Sequence, residues 1–117
     1  MKTLQCSATI GLEPTTIFYD NLYNKISEIL EETAKTQEYY ISFVVFPTRT
    51  LYKKEWGCPS LKGEATITLE CVANPEFITD LEIWKECVLN CIKNIKLAFN
   101  QSTVTCIFSE CDVNYLK

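Results

Sequence analysis

The sequence contains no histidine and only three glycines among its 117 residues. Without histidine, the chain cannot form Ser-His or Cys-His nucleophilic pairs, and it lacks the side chain that most catalytic zinc sites use. The three glycines form neither a GxGxxG fingerprint nor a P-loop, so the common phosphate cradles are missing. These absences exclude many familiar enzyme mechanisms and predict a protein with no cofactor, no metal and no catalytic residue.

Long apolar runs are also missing from the sequence. No stretch approaches the roughly 18–20 apolar residues that a bilayer-spanning helix needs. No apolar signal-peptide region follows Lys2 either. These patterns predict a cytoplasmic protein without a membrane partner.

The overall charge argues against nucleic acid as a partner. The net charge is −4 and the isoelectric point is about 4.8. Non-specific binding to a nucleic acid needs a dense positive field, which the whole chain does not supply. A local basic segment, described below, keeps this question open.

Cysteine is abundant, with seven residues, and the count is odd. Five of them fall at positions that the periodicity makes apolar, where a free thiol packs like a small hydrophobic group. An odd number without an export signal favours reduced thiols in a reducing compartment. Metal-binding CxxC knuckles do not occur, so core packing is the preferred interpretation. The seven are Cys6, Cys58, Cys71, Cys87, Cys91, Cys106 and Cys111.

Hydrophobic periodicity predicts a single domain over 1–117 with the element order βαββαβ. Alternation with a period of two indicates strands, and apolar residues at helical spacing indicate two amphipathic helices. The predicted elements are a strand at 3–12, a helix at 15–36, a strand at 39–54, a loop at 55–63, a strand at 64–73, a helix at 80–99 and a strand at 103–108 that could extend to 113.

One face of the predicted sheet is apolar and the other is polar. The polar positions are Gln5, Ser7, Thr9, Thr66, Thr68 and Glu70. A sheet covered on both faces would need continuously apolar strands, so both helices should lie on one face. Together with right-handed crossovers, this predicts an α+β, ferredoxin-like two-layer sandwich with a four-stranded, mainly antiparallel sheet.

Residues 46–63 are the candidate binding surface. This 46–63 segment has a local charge of +3, opposite in sign to the rest of the chain, and aromatic residues lie among its cations. Because the predicted strand 39–54 is much longer than its neighbours, part of it should project as an arm or bend over the sheet edge. Aromatic and basic residues are typical of binding hot spots and phosphate contacts. The candidate binding residues are Arg49, Tyr52, Lys53, Lys54, Trp56 and Lys62.

The sequence therefore predicts a small interaction or regulatory protein without catalysis, homo-oligomeric or bound to another protein through the 46–63 segment. A phage- or mobile-element-encoded inhibitor of a host system belongs to this class. Exchange of the segment between two copies would also bury Val44 and Phe46, which lie off the core face.

A second hypothesis is a small-ligand or nucleotide-binding domain, or an enzyme that uses a thiol or paired carboxylates. Cys58 lies in a turn-rich loop among lysines that would favour its thiolate. Glu110 and Asp112 alternate at the end of the last strand, where they could act as an acid/base pair.

Overall fold

The computed structural model describes residues 1–12 and 19–117. The first four residues of the predicted helix 15–36 lie outside this described part. The order of elements confirms the predicted βαββαβ sequence. The elements are β1 (Lys2–Gly11), α1 (Tyr19–Ala34), β2 (Val44–Thr50), a 3-10 turn (Lys54–Trp56), β3 (Glu64–Val72), α2 (Leu81–Ala98) and β4 (Thr105–Asp112).

The four strands form one antiparallel sheet in the order β2-β3-β1-β4. Cys6 on β1 stands opposite Cys71 on β3 and Phe108 on β4, and Thr48 on β2 stands opposite Thr66 on β3. β1 and β2 therefore run parallel with β3 between them, which is the split βαβ arrangement. The predicted ferredoxin-like sandwich is confirmed, while the single-domain extent stays a prediction.

The core lies between the sheet and the two helices. Apolar side chains from one face of the sheet, such as Ile10 and Leu69, pack with α1 residues such as Leu22 and α2 residues such as Val88. Asp80 caps α2 by accepting hydrogen bonds from the backbone N–H groups of Glu82 and Ile83. Neither described helix combines the length and the apolar composition that crossing a membrane would require.

The predicted strand 39–54 is wrong in length, because β2 spans only Val44–Thr50. Before β2, Ile41 is buried in the core, and the hydroxyl of Tyr39 accepts a hydrogen bond from the backbone N–H of Asp80. This part of the chain therefore packs against α2 instead of joining the ladder. β2 is an edge strand, which accommodates Pro47 because proline has no N–H to donate.

The open face of the sheet is polar, but threonine hydroxyls at its centre are buried. Thr66 is 4% exposed and Thr68 is 8% exposed. Thr50 donates to Thr66 (3.3 Å), Thr66 and Thr48 are 2.7 Å apart, Thr48 and Thr68 are 3.1 Å apart, and Thr68 and Thr9 are 3.0 Å apart. Each buried hydroxyl in this row, which runs from Thr50 to exposed Thr9, therefore has a hydroxyl partner.

All seven cysteines are free thiols, and five are buried. Cys6 and Cys71 form a direct cross-strand pair. The hydrogen bond with Cys6 is the larger of two causes that raise the pKa of the Cys71 thiol well above its ordinary value, and burial is the second. Burial also raises the pKa of Cys106. Cys71 and Cys106 are therefore neutral packing groups. Within residues 1–12 and 19–117, no group of three or more metal-ligating side chains could hold an ion.

Candidate active site

A loop at residues 51–63 joins β2 to β3 and builds the candidate site. It contains the 3-10 turn Lys54–Trp56, which is followed by Gly57 with φ 99°. It closes at Gly63, which has φ 83°. A Cβ atom at Gly63 would stand 2.6 Å from the carbonyl oxygen of Thr50, so the chain can return into β3 here only with glycine.

Several hydrogen bonds pin the 51–63 loop against the edge of the sheet. The Arg49 guanidinium donates to the carbonyl oxygens of Lys62 (2.8 Å) and Gly63 (3.3 Å). Inside the loop, the Cys58 thiol donates to the carbonyl oxygen of Ser60 over 3.2 Å, and Cys58 is 7% exposed. These hydrogen bonds give the loop a defined fold next to the end of β2, and whether part of it projects as an arm or bends over the sheet edge stays a prediction.

The folded loop encloses a cavity of about 300 Å³. This volume is at the lower end of the range for small-molecule sites, which lies at roughly 300–1,000 Å³. Its wall is mainly apolar, with one phenol and one ammonium group. The lining residues are Leu51, Tyr52, Lys54, Cys58, Pro59, Ser60, Leu61 and Gly63.

Tyr52 connects this cavity to a carboxylate on β3. Its hydroxyl donates to Oε2 of Glu64 over 3.0 Å. Partial desolvation raises the pKa of the Tyr52 hydroxyl, and the hydrogen bond to Glu64 and the charge of that carboxylate raise it further. The phenol therefore stays protonated and continues to donate at neutral pH.

The other carboxylate oxygen of Glu64 points towards the end of β1. A Cβ atom built at Gly11 would lie 2.9 Å from Glu64 Oε1 and 2.7 Å from Gln101 Oε1. Gly11, Tyr52, Glu64 and Gln101 thus form a polar cluster from four separate segments of the chain. The cavity has a mainly apolar wall and the Lys54 ammonium, and the Glu64 carboxylate adjoins it through its hydrogen bond with Tyr52 without lining it. Together these groups suit a small zwitterionic ligand.

The structure brings only some of the predicted binding residues together. Tyr52 and Lys54 line the cavity. Arg49 is engaged in pinning the loop. The Lys53 ammonium lies 5.2 Å from the ring centre of Trp56. Trp56 is 72% exposed and is therefore not part of the core. Binding by the six residues as a set stays a prediction.

Sequence reasoning missed Gly11, Glu64 and Gln101. Glu64 is the first residue of the predicted strand 64–73 and of β3, but its contact with Tyr52 depends on how the loop folds. Gln101 follows Asn100, which has φ 54° at the end of α2. A residue with a positive φ after a helix signals a change of direction, but it does not identify the strand that the next side chain meets.

The alternative site residues lie elsewhere or are engaged in structure. Cys58 is buried and bonded within the loop, so it is not an exposed thiol. Asp112 is at the opposite end of β1, where Oδ1 lies 2.7 Å from the N-terminal ammonium of Met1. Glu110 is exposed and stands opposite Leu4 in the sheet. Neither carboxylate is close in register to Gly11.

Fold and cavity together define a two-layer α+β domain with a loop-built pocket for a small ligand. A family model described as SAM lyase matches residues 1–117. The chain therefore belongs to the SAM lyase family. None of the curated proteins matches it.

The solved structures that are similar to this chain include two of phage enzymes. A phage SAM lyase in its apo state has a TM-score of 0.67 at 14% identity, covering 93% of this chain and 81% of that chain. A phage SAM lyase in complex with S-methyl-5'-thioadenosine has a TM-score of 0.59 at 15% identity, covering 92% of this chain and 81% of that chain. At these identities, the likeness shows the fold alone.

Family membership overturns the prediction of a non-catalytic interaction protein. The prediction that the chain is not an enzyme is wrong, because the family is one of lyases. The absence of histidine excludes only reactions that need an imidazole base, nucleophile or ligand. The expectation of a phage-type protein agrees with the phage origin of both similar structures.

Proposed function

We propose that this protein is a lyase that cleaves S-adenosylmethionine at the 51–63 loop cavity and the adjoining Tyr52–Glu64 pair. The observation that carries the proposal is the match of the SAM lyase family model to residues 1–117. The complex of a similar phage enzyme with S-methyl-5'-thioadenosine supports the choice of bond. It corresponds to cleavage between the sulfur and the four-carbon amino-acid chain.

The chemistry of this substrate needs little from the protein. The sulfonium is already a good leaving group, and the sulfur keeps the electron pair of the broken C–S bond to become a neutral thioether. In the proposed step, the carboxylate oxygen of the same substrate forms the new C–O bond at the carbon that the sulfur leaves. The products are methylthioadenosine and a five-membered lactone, and no proton is transferred. A chain without histidine can catalyse this step by holding the substrate in a folded conformation.

The cavity supplies groups that match the two ends of this substrate. Its apolar wall, which includes Leu51 and Leu61, suits the adenine ring and the thioether. The Lys54 ammonium is the cationic group of the lining and serves to bind and orient the substrate carboxylate, because that carboxylate loses its charge as the C–O bond forms. Tyr52 also lines the cavity, and its hydroxyl donates a hydrogen bond to the Glu64 carboxylate.

Glu64 is assigned to the α-ammonium of the substrate. The sulfonium loses its positive charge in the reaction, so a carboxylate held against it would stabilise the substrate more than the transition state. The α-ammonium keeps its charge throughout, so binding it does not oppose the reaction. Glu64 therefore acts in binding and orientation.

The experiment that tests this function is product analysis in ¹⁸O-labelled water. Internal displacement predicts methylthioadenosine together with a lactone that carries no ¹⁸O at early times. Later opening of the lactone places ¹⁸O in the carboxyl group. Direct attack by water would instead place ¹⁸O in the γ-hydroxyl group of homoserine and contradict the lyase step. A heat-denatured sample of the same protein measures uncatalysed breakdown.

Self-association, predicted from the sequence, stays a prediction that the open face supports. Val44 is 65% exposed and Ile107 is 61% exposed, and both lie in the row of the sheet that contains Glu70 and Ser7. Light scattering of the wild type and a Val44→Ser/Ile107→Ser variant tests self-association. A wild-type mass equal to that of one chain would contradict the prediction.

A further inference from the structure

Two side-chain oxygens, from Gln101 and Glu64, lie where a side chain at Gly11 would begin. Gly11 is the last residue of β1 and stands opposite Thr66 on β3. A Cβ atom at this position would be 2.7 Å from Gln101 Oε1 and 2.9 Å from Glu64 Oε1. Both distances are shorter than real Cβ contacts allow, so any side chain at residue 11 would displace one or both oxygens.

The orientations of both side chains are fixed by hydrogen bonds of their own. The Gln101 amide nitrogen donates to the carbonyl oxygen of Phe99 over 3.1 Å, which directs its oxygen towards Gly11. Glu64 uses Oε2 to accept from Tyr52, which leaves Oε1 on the side of Gly11. Moving either oxygen away would therefore strain or break one of these bonds.

The two oxygens together have the chemistry of a cation site. Both are acceptors, one belongs to a carboxylate, and neither accepts a hydrogen bond from any residue in the described ranges 1–12 and 19–117. Two converging acceptors repel each other unless a donor lies between them. A primary ammonium supplies several N–H donors and a positive charge that complements Glu64.

We propose that Gln101 and Glu64 together bind the α-ammonium of the substrate, and that Gly11 is a positioning residue that leaves room for them. This inference rests on the proposed lyase function and adds two residues to its site. Gly11 acts only through the oxygens above it, whereas Gln101 contacts the substrate directly.

The backbone at Gly11 allows a clean test, because only Gly57 and Gly63 among the three glycines have positive φ. Alanine at residue 11 therefore alters the space above the strand without forcing an unfavourable backbone conformation. The Gly11→Ala variant should keep its thermal stability. Its KM for S-adenosylmethionine should rise about tenfold while kcat changes by less than about twofold, because the lost contact serves ground state and transition state alike.

The Kd for methylthioadenosine separates this mechanism from general damage to the pocket. General damage would weaken the binding of methylthioadenosine, whereas loss of the ammonium site would not. It has no amino-acid chain, so Gly11→Ala should leave its Kd, measured by calorimetry, unchanged. Gln101→Ala should likewise raise KM and spare the binding of methylthioadenosine. Gln5→Ala, which removes an exposed glutamine on the same strand as Gly11, is the matched control and should change neither value.

A double-mutant cycle tests whether Gly11 acts through Glu64. In a Glu64→Gln background, Gly11→Ala should add little further increase in KM, whereas independent effects would multiply. A normal KM in Gly11→Ala, or weaker binding of methylthioadenosine in proportion to the rise in KM, would overturn the proposal.

A structural readout separates this inference from the proposed function. Labelling the tyrosine ring carbons allows the Tyr52 hydroxyl to be titrated by NMR, and displacement of Glu64 by Gly11→Ala should lower the pKa of Tyr52 towards its ordinary value. An unchanged Tyr52 titration contradicts the positioning role whether or not the protein turns over substrate. A lowered pKa in a protein without any lyase activity would overturn the ammonium site and the proposed function while leaving the packing argument intact.

Discussion

The hydroxyl of Tyr52 donates a hydrogen bond to Oε2 of Glu64 over 3.0 Å, and this bond joins the wall of the loop cavity to the first residue of β3. The two residues are 12 positions apart in the chain, on either side of the loop. The bond therefore depends on how the loop closes, and it keeps the carboxylate beside the cavity. The proposed site is built on this relationship.

Removing the Tyr52 hydroxyl should release the Glu64 carboxylate. Tyr52→Phe should lower kcat/KM for S-adenosylmethionine while leaving the fold intact, because the phenyl ring still lines the cavity. Tyr115→Phe removes a hydroxyl from an exposed ring in the C-terminal tail and is the control. Equal activity of the two variants would show that the bond has no role.

The same bond predicts the behaviour of the protein at alkaline pH. The pKa of Tyr52 is raised in the folded state, so the bond contributes stability below the ordinary tyrosine pKa of about 10. This contribution is lost as the pH rises through the folded-state value. The difference between the phenol absorbance titrations of wild type and Tyr52→Phe should therefore have its midpoint above that of an ordinary tyrosine. A midpoint at or below the ordinary value would contradict the contact.

Gly63 should tolerate substitution less well than Gly57. Both have positive φ, but a Cβ atom at Gly63 meets the Thr50 carbonyl oxygen at 2.6 Å, whereas one at Gly57 meets nothing within 4 Å. Gly57→Ala should cost about 1 kcal/mol of unfolding free energy and Gly63→Ala more than about 2 kcal/mol, because a steric clash adds to the backbone strain. Urea denaturation measures both. Equal costs would mean that the loop closes differently.

The buried threonine chain should contribute to the stability of the sheet. Thr66→Val keeps the shape of the side chain but removes the partner of the Thr50 hydroxyl and one of the two partners of the Thr48 hydroxyl. The expected loss of unfolding free energy is about 1–3 kcal/mol. Thr105→Val, at an exposed position of β4, should change it by less than about 0.5 kcal/mol. A neutral Thr66→Val would show that these hydrogen bonds do not stabilise the sheet.

Cys58 should react slowly with thiol reagents despite the lysines near it in sequence. Its side chain is buried and donates to the Ser60 carbonyl oxygen. Cys106 and Cys111 are half-buried and should be labelled before Cys58. Mass spectrometry after brief alkylation of the folded protein gives the order, and preferential labelling of Cys58 would contradict the buried loop thiol.

Periodicity in the sequence was sufficient to predict most of the fold. β1 and α2 have clear hydrophobic periods, and each end of both elements differs from the predicted bound by one residue. β2 was extended too far because its aromatic and β-branched neighbours have the composition of a strand. Ile41 instead packs in the core from a segment that is not part of the sheet. This packing depends on residues distant in sequence, so local composition does not predict it.

The candidate site was predicted only in part, for two physical reasons. Composition led to Tyr52 and Lys54, since aromatic and basic residues in a loop indicate binding. The contact of Gly11 with Glu64 and Gln101 joins positions up to 90 residues apart, and no local pattern reports it. Catalysis was missed because a substrate that carries its own leaving group and nucleophile requires none of the acid/base residues by which enzymes are recognised.

The central claim is that Glu64 belongs to a site that cleaves S-adenosylmethionine, and kcat/KM for methylthioadenosine release tests it most directly. The matched variants are Glu64→Gln and Glu70→Gln, which remove one carboxylate each from the same strand. The wild type and Glu70→Gln should release methylthioadenosine at similar rates, whereas Glu64→Gln should lose about tenfold to a hundredfold, the range expected for one charge-assisted hydrogen bond. A wild type that releases no methylthioadenosine, or an equal loss in both variants, would contradict the account.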